Sequence, residues 1–331
     1  MIKIGIIGAG YWGPNLIRNF NSHPECEVCI VSDLSEGRLQ FIKKNYPDII
    51  TTVSSQDIIN SDDIDAVVIA TPVNTHKDLG IKCLNSGKHV FIEKPLADSY
   101  LDAVELRDLS LHKGLILAVG HIFQFSSAVK AIKKFIDSGN LGEVYHFSAT
   151  RINLGPPKTT VDVIWDLGPH DLSILLYLFN ELPKNVISKG NSYWWNGIID
   201  NAHILLNFES GKSASIFLSW LSSNKTREIL IFGEKGNIVY DETKPIENRV
   251  TFYDKGVDSR INAKDNDVVN LHYGKGEVIT LKLEEIEPLF SEVDAFVKAI
   301  LSNCQPINDG NIGCEVVRIL ETSSSSIKSV N

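Results

Sequence analysis

Lys3-Ile4-Gly5-Ile6-Ile7-Gly8-Ala9-Gly10-Tyr11-Trp12-Gly13, near the start of the chain, decides the fold. Ile4, Ile6 and Ile7 make the apolar run of a buried strand, and it passes through G-x-G-x-x-G into a helix predicted over 14–20. In this arrangement Gly8 permits a tight turn, Gly10 lets backbone approach a pyrophosphate, and Gly13 lets helix and strand pack closely. The helix start offers unpaired N–H groups and the positive end of its dipole to phosphate. Three glycines alone are weak evidence, since a plain Gly-rich strand–helix turn carries them too. The context is what counts. A second apolar run, 28–31, ends in Ser32-Asp33, about 20 residues past the glycines, where a dinucleotide site needs an acid for the ribose.

At 331 residues the chain exceeds what one core usually covers, so two domains are expected. Its 43% hydrophobic and 22% charged content is ordinary for a soluble globular protein. Lys and Arg number 32 against 41 Asp and Glu, a net charge of −9 with no basic run, which argues against a nucleic-acid partner. No apolar run approaches a membrane span, and the chain enters a strand pattern directly without a signal peptide; no membrane partner and a cytoplasmic location are expected. Five cysteines form an odd, sparse set. Cys26-x-x-Cys29 lies inside the second strand pattern, whereas a redox pair needs an exposed thiolate at a helix start. Core filling in a reducing compartment is the reading. No zinc-ligand spacing appears, and no metal is expected.

Working outward, strands are predicted over 3–7, 27–32, 66–69, 89–92 and 115–119, with helices between them that include 35–45, 75–85 and 99–112. That alternation means a parallel sheet covered by helices, an α/β domain over 1–120. Gly87 is placed as a residue just past a helix end. The loops carrying Thr71-Pro72-Val73-Asn74-Thr75-His76 and Glu93-Lys94-Pro95 leave the carboxyl ends of strands, where open α/β sheets bind ligands. After Gly120-His121 the pattern changes. One helix, 126–137, precedes segments alternating with period two: Tyr145/Phe147/Ala149, Ala202/Ile204/Leu206/Phe208, Ala214/Ile216/Leu218/Trp220 and Ile229/Ile231. Residues 121–331 therefore read as an α+β domain with a mostly antiparallel, open-faced sheet, closed by helices over 288–301 and 312–327. Residues 244–276 are polar and unassigned, and Ser323–326 reads as a frayed helix end.

Two further segments carry chemistry. Lys94 stands at the carboxyl end of a strand, beside the crevice. Trp165-Asp166-Leu167-Gly168-Pro169-His170-Asp171 precedes an apolar helix over 172–179, and Pro169, which cannot bond back to residue 165, predicts a turn or kink with His170 near the first turn. Each has a bland alternative: a solvated loop lysine, a packed histidine. Likewise His76 reads alone as a capping-turn residue.

Taken in order, the glycine motif, Ala70-Thr71-Pro72-x-x-x-His76, Glu93-Lys94-Pro95 and Asp166-x-Gly168-x-His170 resemble the glucose–fructose oxidoreductase/inositol dehydrogenase (Gfo/Idh/MocA) family over essentially the whole chain. The resemblance implies a Rossmann domain, a C-terminal domain whose open sheet face makes a homodimer or homotetramer, and hydride transfer at a sugar or cyclitol carbinol. The implied cofactor is NAD(H) or NADP(H), on Gly8, Gly10, Tyr11, Trp12, Gly13, Asp33, Thr71, Pro72, Asn74, His76, Glu93 and Lys94; Asp33, placed to bind a ribose hydroxyl, favours NAD over NADP. Lys94, Asp166 and His170 would be catalytic, and Lys94, Gln124, Arg151, Asp166 and His170 would meet substrate. A cis bond before Pro95 is also implied. The segments Gly10-Tyr11-Trp12-Gly13-Pro14-Asn15-Leu16 and 165–173 look most like members acting on nucleotide-linked sugars, among them UDP-N-acetylglucosamine(-uronate) 3-dehydrogenases of surface-polysaccharide pathways. Many members carry Arg or Asn after the fifth strand; here His121-Ile122-Phe123-Gln124-Phe125 stands instead. The alternatives are a cyclitol or free-sugar dehydrogenase, a ketosugar reductase, and a non-catalytic dinucleotide-binding regulator.

Overall fold

The computed structural model describes residues 1–155, 161–195, 197–254 and 276–328. Along the chain run β1 (Ile2–Ile7), α1 (Gly13–Ser22), β2 (Cys26–Ser32), α2 (Glu36–Asn45), β3 (Ile50–Thr52), α3 (Ser55–Ile59), β4 (Ala66–Ile69), α4 (His76–Asn85), β5 (His89–Glu93), α5 (Tyr100–His112) and β6 (Leu117–Gly120). There follow α6 (Ser127–Asp137), β7 (Val144–Leu154), α7 (Val163–Phe179), β8 (Pro183–Asn191), β9 (Asn201–Phe208), β10 (Ser213–Ser219), β11 (Leu221–Gly233), β12 (Gly236–Asp241), β13 (Val250–Tyr253) and β14 (Val278–Thr280), then α8 (Pro288–Ser302) and α9 (Gly310–Lys328).

The chain divides into two compact units, Met1–Ser126 with Ile286–Glu321, and Ser127–Glu285 with Thr322–Asn331. A single second domain over 121–331 was the sequence expectation; here Ile286–Glu321 groups with the first unit. The reason is apolar. Phe296 of α8 meets Phe20 of α1 and Phe91 of β5 edge-on at 6.2 and 5.7 Å, and Leu289, Val293 and Val297 join the same core. One face of the sheet needs that helix to be covered.

In the first unit six strands lie in the order β3-β2-β1-β4-β5-β6, every pairing parallel. The order reverses direction at β1/β4, so the loops after β1 and β4 diverge and leave a crevice. β4 (Ala-Val-Val-Ile) is wholly buried, as a strand covered on both faces must be. Gly87 sits just past α4 with φ +75, and the next N–H, that of Lys88, returns to the Cys83 carbonyl, the helix stop expected there. Cys26 is buried with its thiol donating to the Phe20 carbonyl, and burial pushes its pKa up to about 12, the state of a packed thiol.

The second unit has an eight-stranded sheet, β14-β13-β12-β11-β7-β10-β9-β8, antiparallel except for β7 with β10. Its inner face packs on α6 and α7, with Phe147 against Phe179 and Phe135 against Phe252. Strand β13 lies in the otherwise unassigned stretch 244–276, of which 255–275 lies outside the described residues. The four serines are not a frayed end. Ser323 and Ser324 are buried inside α9, where Ser324 Oγ donates to Asp162 Oδ2 at 2.9 Å and the Ser323 carbonyl accepts from Ser188 Oγ at 2.8 Å. Among the described residues no helix is long and apolar enough to cross a membrane.

Candidate active site

The glycine loop has the geometry its sequence dictates. A Cβ on Gly8 (φ +102) would stand 2.6 Å from the Ala70 carbonyl oxygen, and one on Gly13 would stand 2.5 Å from that of Gly8. Above Gly10 a Cβ would meet only Arg38 Nη1, at 3.6 Å, so backbone is open there to an approaching group. Beside the loop lies a cavity of about 970 Å³ lined by Gly8, Gly10, Tyr11, Trp12, Asp33, Thr71, Pro72 and Asn74, among others. This is the size of a cofactor site. Ser32 Oγ, buried and without a hydrogen-bond partner, faces the same cavity and is an orphaned polar atom that a ligand can satisfy. The residues fit a dinucleotide.

Asp33 stands at the edge of this cavity. Its carboxylate accepts from the Ala9 N–H at 2.7 Å and the Ser35 N–H at 2.8 Å, and Arg38 Nη1 stands 3.4 Å away. The acid is thus aimed by backbone on both sides, with a cation at its shoulder.

His76 does not line this cavity. It is buried, with Nδ1 2.9 Å from the Pro95 carbonyl and Nε2 2.9 Å from the Thr71 carbonyl, so it ties the loop after β4 to the loop after β5. Burial lowers its pKa. The Lys94–Pro95 bond is cis, as the resemblance implied. Glu93 ends β5, packed so close to Gly120 that a Cβ there would lie 2.9 Å from Oε2. Its carboxyl accepts from the Lys94 N–H at 3.2 Å and from the Trp12 side chain. Burial pushes Glu93 up to about 7, against the pull of the Lys94 charge. His121 goes the other way: burial, with Lys94 adding to it, drops its pKa to about 3, so its ring is neutral. Gln124 is fully buried.

In the second unit α7 corrects the expected turn. Pro169 leaves the Trp165 carbonyl without its helical donor, yet the helix runs unbroken through Val163–Phe179. Asp162 caps it, accepting from the Ile164 and Trp165 N–H groups, and burial of Ile164, Leu167, Leu172 and Leu175 outweighs the missing bond. Asp166 and His170, four residues apart, consequently share a face. In this otherwise buried helix Trp165, Asp166, His170 and Tyr177 alone keep partial exposure. Trp220, fully buried, donates its indole N–H to Asp166 Oδ2 at 3.3 Å. Trp220 and the Asp162 cap escaped the sequence reading. An Asp just before Val163-Ile164-Trp165 is a start signal that could have revealed the cap.

Arg151, of which a substrate contact is expected, is held by carboxylates inside the second unit. It is buried, with Nε and Nη2 donating to Asp171 at 2.7 and 3.0 Å and Nη1 to Glu242 at 3.4 Å. Burial opposes its charge, but Asp171 and then Glu242 outweigh that and hold the pKa above normal. Both are partners of a strut.

Residues 2–121 match the model of an oxidoreductase family with an NAD-binding Rossmann fold (GFO_IDH_MocA), and 129–239 match the GFO/IDH/MocA C-terminal domain. A 2,7-anhydro-N-acetylneuraminate hydratase of Escherichia coli (strain K12) is 31% identical over 260 residues, 73% of this chain and 68% of that protein. The chain belongs to the Gfo/Idh/MocA family. It is an oxidoreductase that uses a nicotinamide dinucleotide. The myo-inositol 2-dehydrogenase of Thermotoga maritima is 26% identical, covering 73% of this chain and 76% of that one. A solved UDP-N-acetylglucosamine 3-dehydrogenase from Acidithiobacillus ferrooxidans superposes with a TM-score of 0.84 at 22% identity over 99% of this chain and 98% of that one, a likeness of fold. Among the described residues no group of three or more His, Cys, Asp or Glu could hold a metal ion.

Proposed function

We propose that this oxidoreductase moves a hydride between NAD and a ring carbinol of a nucleotide-linked sugar, of the UDP-N-acetylglucosamine or UDP-N-acetylglucosamine-uronate type. The observation that carries it is the Asp166/His170 face of α7, left partly open in a helix that is otherwise buried. In the oxidative direction neutral His170 takes the hydroxyl proton as the carbon gives up its hydride. The Lys94 ammonium stabilises the negative charge growing on the oxygen. Asp166, steadied by the Trp220 indole, orients the imidazole or a substrate hydroxyl. Bound NAD supplies the hydride acceptor. The motif resemblance and the solved 3-dehydrogenase favour the nucleotide sugar and a role in surface-polysaccharide synthesis, while the inositol dehydrogenase relative favours a cyclitol or free sugar. The test follows reduced-nicotinamide absorbance on adding UDP-N-acetylglucosamine, its uronate, free N-acetylglucosamine and myo-inositol in turn. A response to inositol alone, with none to the nucleotide sugars, overturns the substrate assignment.

Cofactor preference rests on Asp33. Its carboxylate accepts a ribose 2′-hydroxyl and repels a 2′-phosphate, so NAD is favoured, and Arg38 moderates the preference because guanidinium pairs with phosphate. Asp33→Ser is expected to shift the kcat/KM ratio toward NADP by about tenfold or more, the scale of one lost charge-assisted hydrogen bond. A wild type that already prefers NADP would show that Asp33 does not select.

The outer face of the second unit's sheet carries Ile187, Leu205 and Phe232, all exposed, beside a stacked His203–Phe217 pair at 4.4 Å. We place a second copy on it, giving a homodimer or homotetramer, because so apolar a face is costly to leave wet. Light scattering that returns a monomer mass at micromolar concentration contradicts this. All the cysteines are free, which suits the reducing cytoplasm.

A further inference from the structure

Behind the lysine loop, inside the first unit, several polar groups are buried without the partners that burial demands. Glu292 on α8 is 1% exposed, and neither carboxyl oxygen has a well-aligned hydrogen bond; the Asn308 side chain is the polar group that acts on it. Asn308 is fully buried; its Nδ2 donates to the Val119 carbonyl at 2.7 Å, its backbone carbonyl accepts from the Val119 N–H at 2.8 Å, and its Oδ1 has no donor. His121, two residues on, has neither ring nitrogen partnered. The cluster is short of hydrogen-bond donors and holds an excess of acceptors. A carboxylate buried there, with only the Asn308 side chain to offset it and the Glu93 carboxyl as neighbour, would carry a poorly compensated charge. A carboxylic acid would instead supply the O–H donor that Asn308 Oδ1 lacks.

We propose that Glu292 is a positioning residue for the lysine loop, an uncharged carboxylic acid behind Glu93 that leaves Glu93 as the carboxylate serving the Lys94 N–H and the Trp12 side chain. This rests on Lys94 being the reactive lysine, as read above. Glu93 joins two functional loops: Trp12 belongs to the glycine loop and lines the cofactor cavity, while Lys94 follows β5. Glu292 touches neither substrate nor cofactor in this role. It acts by keeping a second negative charge out of the space behind Glu93.

The ionisation directions agree. Burial, and then the Glu93 charge, hold Glu292 well above the usual carboxylate range, and Asn308 offsets this only in part. The Lys94 charge, after β5, acts on Glu93 and also on neutral His121 after β6. The other charged residues of α8 and its start are engaged elsewhere: Glu287 with Arg18 of α1, and Asp294 with His23 and Lys298. Asp309, beside Asn308, bonds Asn311. A carboxyl whose folded pKa is raised adds stability that is complete below its unfolded pKa and is lost as pH rises through the folded value. Glu292 and Glu93 both have this sign, so stability should fall as pH climbs from about 5 to 8.

The experiment compares E292Q and E292L with wild type in two readouts that need no substrate: thermal unfolding from about pH 5 to 8, and NADH affinity by titration. Gln keeps the shape and a donor and holds no charge at any pH. E292Q is expected to retain NADH affinity within about threefold and to lose less Tm than wild type as pH rises, while E292L weakens NADH about tenfold or more. Rescue by Gln where Leu fails is the mark of a neutral hydrogen-bonding role. The proposal is overturned if the E292Q unfolding curve parallels wild type across the pH range, or if E292Q loses as much affinity as E292L. It is equally overturned if E292L binds NADH as wild type does. Should E292L not fold, the E292Q pH series decides alone. None of these outcomes depends on which sugar is turned over, so failure here is separable from failure of the functional reading.

Discussion

His170→Ala is expected to lower turnover about 100-fold or more, close to 2.7 kcal/mol in the barrier, with the fold intact and NAD affinity little changed. The reasoning starts from α7. His170 is one of its few partly exposed positions, so truncating the ring opens no cavity in the core. The helix keeps its Asp162 cap, the Ser324 hydroxyl behind that cap, and its buried leucines. What is lost is the proposed proton acceptor. Oxidation by wild type should rise with pH, because neutral imidazole is the proposed active form. The variant should lose this limb. A packing role makes the opposite forecast: lower Tm with normal turnover per folded molecule. Steady-state rates against pH, taken with thermal unfolding of the same preparation, separate the two. A folded His170→Ala enzyme with near-normal turnover retires His170 as the acid/base.

The first unit was legible because its constraints are local and steric. Gly8 and Gly13 are glycines because a Cβ would strike carbonyl oxygens, and strands buried on both faces read as plain apolar runs. β3, only Ile50–Thr52 and partly exposed, has neither length nor period to announce itself. β8 is an edge strand reading Pro-Lys-Asn-Val-Ile-Ser-Lys-Gly-Asn, a composition that resists assignment because half its surface is wet. Local reasoning failed outright at Pro169 and at Ser323–326, where burial against distant segments overrode propensity. Site residues divide the same way. Gly8, Gly10, Tyr11, Trp12, Asp33, Thr71, Pro72 and Asn74 are brought around one cavity, as their spacing after β1, β2 and β4 suggests. For His76 and Arg151 the sequence suggests a cofactor contact and a substrate contact, whereas the tie between two loops and the strut to Asp171 depend on partners that spacing cannot name.

Lys94→Ala should cost about as much as His170→Ala in turnover, about 100-fold or more, and unlike it should also weaken NAD. The second effect runs through Glu93. Burial already raises that carboxyl to about 7, and the Lys94 ammonium is the leading influence holding it down. Without the cation the Glu93 pKa climbs further, so at neutral pH the carboxyl is protonated more of the time. A neutral acid is a poorer acceptor for the Trp12 side chain, and Trp12 lines the cofactor cavity. The NAD defect should therefore grow as pH falls and shrink as pH rises above neutrality, as Glu93 regains its charge. Lys94→Arg keeps the charge with a different reach, and should restore NAD affinity more fully than turnover. NAD titrations of the three proteins from about pH 6 to 9, beside their rates, provide the check. If Lys94→Ala binds NAD as wild type does at every pH, the coupling through Glu93 fails. If its turnover is also near normal, Lys94 is a solvated loop lysine and the hydride chemistry must find its positive charge elsewhere.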